Sequence, residues 1–339
     1  MKFGVFDHMD RGTVSMGEQY RDRLDLVEAY DRAGFYAYHL AEHHGTPLGL
    51  ACAPSVFLAA VSQRTRALRF GPLVYTMSIY HPLRLLEEIC MLDQMSGGRL
   101  ELGIGRGISP IEMGFYGVGE DAQARYVEVR DIVLQGLTAS ELNFKGQYFS
   151  FEKVPLEIQP VQRPHPPLWY GAARPDVTEW AAARKINIVT NGPAAAVRAI
   201  TDQYRVEWAR GAFANEPIPN LGVNRHVVVA ATDGEAIALA APAYQQWFTS
   251  LLYLWRLRNI PIPLNFPEDF MEARAAGLCL VGSVATVRDA IRREVSAAGI
   301  NYLLCRMAFG NLPRAASLQS VYLMQREIMP AILAESTED

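Results

Sequence analysis

Eight short apolar runs, each followed by residues with helical periodicity, recur along this 339-residue chain with no linker between them. No other feature narrows the possible folds as far. The first run covers 3–6. After it, Ser15-Met16-Gly17-Glu18 has the pattern of a capping box, and Tyr20, Leu24, Val27 and Tyr30 then share one helical face before Gly34 stops the helix. The second run, "FYAYHLA" at 35–41, is aromatic and short, and it reads as a buried strand. Runs at 68–75, 99–104, 168–170, 186–189, 225–230 and 302–306 complete the set. Helical patterns fall between and after them. One opens at His81-Pro82, carries Leu85, Ile89 and Leu92 on one face and has Gly97 beyond its end; others cover 177–184 and 315–333.

Strand–helix alternation of this kind, without a break in composition, predicts an α/β fold. The expected architecture is a closed (β/α) barrel of eight parallel strands, TIM-barrel-like, rather than a doubly wound sheet in two domains. Half of the residues are hydrophobic, enough for one large core over 1–339. Two segments exceed a minimal strand–helix unit and are expected to be insertions over one end of the barrel. One is "NFKGQYFSFEKV" at 143–154, read as a hairpin turning at Lys145-Gly146. The other lies near 244–276, where 244–267 packs Trp247, Phe248, Leu251, Leu252, Tyr253, Leu254 and Trp255 into a short span. That is more apolar area than one helix face buries, so part of it is expected to wall a substrate pocket or a dimer interface. The acidic tail 335–339 is read as frayed.

A formal charge of −4, with Lys and Arg scattered, carries no electrostatic footprint for nucleic acid or an anionic membrane. The longest apolar tract, 48–61, is interrupted by Gly49 and Pro54 and is too short to span a bilayer. A small-molecule partner is expected. The four cysteines (Cys52, Cys90, Cys279, Cys305) are far apart with no C-x-x-C pair, and the first residues lack the apolar run of a signal peptide. The expected location is the reducing cytoplasm.

"HLAEHHG", residues 39–45, satisfies H-x-x-E-H, an inverted zincin spacing that would bind zinc on a helix. The stretch instead continues a strand and is closed by Gly45 and Pro47. Too little room remains for a two-turn helix, and no metal site is predicted.

In a barrel of this class the reactive groups collect at the C-terminal ends of the strands. Asp7 and His8 follow the first strand, Glu42, His43 and His44 the second, Thr76 the third and "GIGRGIS" the fourth. "GIGRGI" at 103–108 fails the dinucleotide fingerprint, because Ile108 stands where the last glycine belongs. It leaves a glycine-rich loop whose amides can approach a ligand, with Arg106 as a bidentate phosphate donor; a tight turn with a solvated arginine fits the same residues. His43 and His44 on extended chain point apart, so one can face the mouth while the other supports it. Glu42 can hold a histidine tautomer.

"MKFGVF", "AEHHG", "HPLRLLEEICMLDQMSGGRLELGIGRG", "TEWAAAR" and "VGSVATVRDAIRREVSAAGI", in this order, resemble the bacterial luciferase-like family of flavin-dependent monooxygenases over nearly the whole chain. The resemblance implies a variant (β/α) barrel forming a single domain, with FMN, or in some branches a 5-deazaflavin, bound in its mouth. It implies His43 as the catalytic histidine and His44, near the flavin pyrimidine, as a second catalytic residue beside it. Arg106 takes the place of the phosphate-binding arginine and Arg125 that of a second arginine near the cofactor. Leu73 and Val74 fall where the family often has a non-proline cis peptide under the flavin ring. Gly171, Ala172, Ala173 and Arg174 match the phosphate-binding stretch after the fifth strand. The chain departs from luciferase itself in having Gly105 where a reactive cysteine stands, and Ala173 and Arg174 in place of a glutamate-serine pair, which argues against light emission.

The function implied is a monooxygenase that takes reduced FMN from a separate, transiently docking flavin reductase and uses oxygen to oxygenate a small, apolar organic substrate. The family also implies a homodimer. Two alternatives remain open: a deazaflavin-dependent hydride-transfer oxidoreductase, and a flavin-binding barrel protein without turnover.

Overall fold

The computed structural model describes residues 1–262 and 266–335. Pro263, Leu264 and Asn265 of the aromatic segment, and the tail from Ser336 on, lie outside the described residues. Glu335, read as part of a frayed tail, ends the helix Met329–Glu335 and pairs with Arg292.

Eight parallel strands form the barrel: β1 (Lys2–Asp7), β2 (Ala37–Leu40), β3 (Arg69–Pro72), β4 (Leu102–Gly105), β5 (Leu168–Gly171), β6 (Asn187–Thr190), β7 (Leu221–Ala230) and β8 (Tyr302–Arg306). They are hydrogen-bonded in the order β3-β2-β1-β8-β7-β6-β5-β4. Between β3 and the start of β4 the circle closes through an isolated bridge. There Phe70 N–H donates to the Arg99 carbonyl at 3.1 Å and Glu101 N–H to the Phe70 carbonyl at 2.8 Å.

That closure needs residues without side chains. A Cβ on Gly71 would lie 1.7 Å from the Glu101 carbonyl oxygen, and one on Gly103 2.1 Å from that of Pro72. The alternating glycines of "GIGRG", expected to let backbone approach a ligand, thus meet the protein's own chain at 103, and at 105, where a Cβ would strike Val74.

The barrel interior is filled in layers. At the base the buried Glu101 carboxylate accepts from the Tyr36 hydroxyl at 3.0 Å, from Arg69 Nε and from Trp169 Nε1, tying three strands and the loop after the first helix together. Burial pushes this carboxyl above its usual range against the pull of Arg69. Above it Trp169, Val189, Tyr302 and Leu304 pack with Phe6 and Leu73. His39 sits among them, its Nε2 2.9 Å from the Tyr302 hydroxyl. The upper layer, at the C-terminal ends of the strands, is polar.

The helices form as their end signals require. The Ser15 hydroxyl caps Met16–Ala33 by accepting from Glu18 N–H, and Gly34 ends that helix at φ 78°. Gly97, at φ 64°, ends Pro82–Ser96. Among the described residues no helix is long and apolar enough to cross a membrane.

Four readings are corrected. The third run is not one strand: β3 stops at Pro72, the Leu73–Val74 peptide is cis, and Tyr75–Thr76 resumes pairing, now with β4. A ninth parallel strand, Cys279–Ser283, was missed, because "CLVGS" reads as the approach to the helix Val284–Ala298. It lies outside the circle and pairs with the second half of the long strand β7. The aromatic stretch from Tyr244 is not an insertion at its start but the second half of the 25-residue helix Asp233–Leu257 that follows β7. The pattern at 177–184 is a single 3-10 turn, Pro175–Val177, followed by the short helix Thr178–Ala182. The hairpin is present as Glu141–Lys145 paired antiparallel with Ser150–Pro155.

The closure generates a stability test. Gly71→Ala places a methyl group against backbone that cannot yield without opening the barrel, and should cost about 3 kcal/mol, the upper end of overpacking penalties. Gly234→Ala, in the first turn of Asp233–Leu257 with open space around it, should stabilise by about 0.4–1 kcal/mol. Urea unfolding of the two variants beside the parent checks both, and a Gly71→Ala loss below about 1 kcal/mol would show that closure does not need the glycine.

Candidate functional site

The loops after β2, β3 and β4 meet at one mouth. The chain leaves β2 at Leu40 and stays extended, so Glu42 and His44 share a side and His43 takes the other. Glu42 is buried, with both oxygens engaged. Oε1 accepts from the Tyr80 hydroxyl at 2.8 Å and lies 2.8 Å from His44 Nε2, and Oε2 accepts from Thr76 N–H at 2.8 Å. The other ring nitrogen of His44, Nδ1, is 2.8 Å from the Tyr116 hydroxyl. An ionised carboxylate only accepts, so His44 carries its proton on Nε2 and accepts from Tyr116 at Nδ1. Both of its nitrogens are committed.

His43 is arranged differently. Nδ1 faces Glu112 Oε1 at 3.2 Å, while Glu112 Oε2 accepts the His44 backbone N–H at 2.7 Å. No partner for His43 Nε2 is found among the described residues, and the side chain keeps 14% of its surface exposed. Glu112 reaches this place from the short helix Pro110–Phe115, which the Ser109 hydroxyl caps by accepting from Glu112 N–H. Burial would raise the Glu112 carboxyl, but the bonds from His43 and His44 outweigh it and hold the carboxyl below the usual range. Ionised Glu112 only accepts, so His43 carries its donor proton on Nδ1.

Thr76 leads into a 3-10 turn, Met77–Ile79, that joins two arginines. The buried Ser78 hydroxyl donates to the Arg106 carbonyl at 2.7 Å, and the Ser78 carbonyl accepts from Arg125 Nε at 3.3 Å. Arg125 stacks on Tyr148 and Phe149 of the hairpin. Arg106 is exposed, and its Nε makes one long bond of 3.3 Å to the Gly107 carbonyl. Among the described residues no carboxylate pairs with either arginine. Gly171 ends β5 with open space beside it, and Ala172 N–H donates to the Val189 carbonyl. Ala173 carries the chain on to Arg174, which is exposed and pairs with Asp176 at 2.8 Å.

The structure thus gathers His43, His44, Arg106, Arg125, Leu73 and Val74 around the loops after β2, β3 and β4, and sets 171–174 at the end of β5. Of the H-x-x-E-H pattern, His39 lies within the barrel on Tyr302 and His43 at the mouth on Glu112, on extended chain. Sequence reading missed Glu112, Tyr116 and Tyr80. Glu112 sits three residues after Ser109, where a capping box accounts for it without a site. It also missed His226 and Arg306, although an arginine closing the apolar run "YLLCR" at the end of a barrel strand was a usable signal.

Three buried histidines are held neutral. Burial pushes His39 down to about 3, and burial and Arg306 push His8 and His226 well below 6.5. Below about pH 6.5 the unfolded chain binds protons at these rings that the folded chain refuses, so stability falls with acid. Asp10, raised by burial to about 6, opposes this, since the folded chain keeps a proton that the unfolded chain gives up. Near pH 5 the three rings outnumber Asp10, so protons are taken up on unfolding and stability falls as the pH drops. Urea unfolding across about pH 7 to pH 5 should show this loss, and a flat or rising stability curve would contradict it.

The uncharacterized protein y4wF of Sinorhizobium fredii is 47% identical over 333 residues, covering 98% of this chain and 97% of that protein. The oxygenase component of the flavin-dependent trigonelline monooxygenase of Acinetobacter baylyi is 29% identical over 192 residues, 56% of this chain and 53% of its own length. The oxygenating constituent of 3,6-diketocamphane monooxygenase from Pseudomonas putida, solved with FMN, shares the fold with a TM-score of 0.82 at 20% identity, over 97% of this chain and 98% of that one. The family model for luciferase-like monooxygenases matches residues 1–302, and with this extent of match on an eight-stranded parallel barrel the chain belongs to that family of flavin-dependent oxidoreductases.

Proposed function

We propose that the protein is the oxygenase of a two-component system, which receives reduced FMN from a separate reductase and oxygenates a small organic substrate. The observation that carries this is the pair Arg106 and Arg125, two cations with no carboxylate partner among the described residues: the Ser78 hydroxyl holds the Arg106 backbone carbonyl and the Ser78 carbonyl accepts from Arg125 Nε. A phosphate dianion needs such uncommitted donors, and the two arginines fit it. The open backbone at Gly171, with Ala172 and Ala173 behind it, leaves space on the far side, and Arg174 can exchange its exposed aspartate for the phosphate. Leu73 and Val74 would hold the flavin ring at the mouth. When bound, reduced FMN supplies the two electrons with which one oxygen atom of O2 enters the substrate and the other leaves as water.

This chain contributes position, proton control and dryness. His43 is the catalytic residue, exchanging a proton at Nε2 while Glu112 fixes its tautomer. His44, with both nitrogens bonded, is a positioning residue. Together with Glu42, Tyr80 and Thr76 it holds the loop after β2 against the loop after β3. Phe6 and Trp247 line the mouth with apolar surface that keeps bulk water from the reacting atoms.

Anaerobic titration with reduced FMN and, separately, with a reduced 5-deazaflavin tests the cofactor. FMN should bind more tightly, and a preference for the deazaflavin would move the protein to the hydride-transfer reading. Arg106→Ala should weaken FMN binding by about 1.5–3 kcal/mol, the scale of a hydrogen bond to a charged group. An unchanged dissociation constant returns Arg106 to solvent. His43→Ala should keep FMN affinity and lower turnover by about 100-fold, read as heavy-isotope oxygen incorporated into small apolar organics after oxygen is admitted. Near-parental incorporation would remove His43 from the chemistry.

A further inference from the structure

Deeper in the same mouth lies a buried cation that the flavin reading does not use. Arg306 ends β8, and its guanidinium is sandwiched between the rings of Phe6 and Trp247, with Cζ 5.2 and 4.7 Å from their centroids. Nη1 lies 2.9 Å from His226 Nε2, which must accept because arginine only donates. Nε is buried and has no partner. The Nε/Nη2 edge, one of the two edges with which arginine grips a carboxylate bidentately, is therefore free of any acceptor among the described residues.

The surroundings leave this charge incompletely matched. The nearby Asp7 is bound to Arg23 at 3.0 Å and to the Tyr38 hydroxyl, and Asp10 accepts from Gly310 N–H at 2.5 Å and lies 3.9 Å from Arg23. No carboxylate is within ion-pair distance of Arg306 among the described residues. Burial lowers the Arg306 guanidinium to about 10, still a cation at neutral pH. His8 adds a second donor. Trp247 Nε1 donates to His8 Nδ1 at 3.1 Å, so the neutral His8 ring carries its proton on Nε2. The His8 ring centroid is 5.5 Å from that of His43. A buried cation with a free bidentate edge, a neighbouring N–H donor and two aromatic faces make a place for an anion attached to an apolar body.

We infer that Arg306 and His8 form a subsite for a substrate carboxylate, so that the enzyme acts on small carboxylic acids whose apolar part lies against Phe6 and Trp247, within reach of His43. This rests on the barrel mouth being the oxygenation site. The carboxylate takes the Nε/Nη2 edge of Arg306 and a bond from His8 Nε2, and it orients the substrate rather than reacting.

Benzoate and the uncharged benzyl alcohol serve as probes, with binding measured by calorimetry and by Trp fluorescence, with and without FMN. The parent protein should prefer benzoate by about tenfold or more, the scale of a charge-assisted hydrogen bond. Arg306→Met should abolish that preference while leaving FMN and benzyl alcohol affinities in place. Arg306→Lys, which keeps the charge without the fork, should retain part of it and provides the test should the methionine variant not fold. Equal binding of the two probes by the parent, an undiminished benzoate preference in both variants, or a loss of FMN affinity parallel to that of benzoate would each overturn the subsite. Failure of the parent to bind FMN while the Arg306-dependent benzoate preference persists would instead sink the flavin reading alone.

Discussion

The site depends on one close approach of backbone to backbone. Where Gly71 passes the Glu101 carbonyl and Gly103 passes that of Pro72, no side chain can stand, and the strands on either side of the barrel seam come together. With a Cβ at either glycine the circle would open there, and the loops after β3 and β4 would separate. Those loops bring Thr76 to Glu42 and Ser78 to both arginines. At the seam itself the base of the barrel is pinned by Glu101, whose buried carboxylate gathers Arg69, Tyr36 and Trp169. Removing one partner of such a group leaves a buried charge unmatched, which makes the base rigid.

On that base the two adjacent histidines of the mouth are bonded differently. Glu42 and Tyr116 occupy both nitrogens of His44, so its ring is a strut between loops. Glu112 occupies one nitrogen of His43, and the other has no partner among the described residues. The division follows from the pleat of extended chain, which sends neighbouring side chains to opposite sides, and from two carboxylates arriving from different elements. A buried carboxylate is costly unless its lone pairs are filled. Glu42 fills them with Tyr80, His44 and Thr76, and Glu112 with His43 and the His44 amide.

The far wall of the mouth is built from the last strand and the long helix after β7. His226, Arg306, Trp247 and His8 touch in that order there, although they come from four separate parts of the chain. The aromatic run from Tyr244, read from sequence as an insertion with spare apolar area, supplies Trp247 to this wall. Helical periodicity carries that residue inward while Tyr253 and Leu257 remain exposed.

Much of the architecture was legible before any coordinates. Eight apolar runs with helices between them, Ser15 and Gly34 as end signals and the hairpin at 143–154 all follow from local rules: periodicity, capping and turn chemistry act over a few residues and leave their mark in composition. The rim position of His43, His44 and Arg106 was legible too, because strand direction alone puts loop residues at that end. The broken third strand, the ninth strand Cys279–Ser283 and the use of the "GIGRG" glycines for packing were not, since each depends on what lies across the barrel rather than beside it in sequence. The same holds for the partners. That Glu112 rather than Glu42 bonds His43, that Ser78 joins two arginines, and that one edge of Arg306 meets no acceptor among the described residues are decided by contacts between residues 28 to 80 positions apart or by the want of any. Sequence by itself determined the elements and the end of the barrel at which reactive groups collect; only tertiary structure decided which nitrogen of each histidine is bonded and which carboxylate pairs with which cation, because hydrogen bonds are allotted by distance in space.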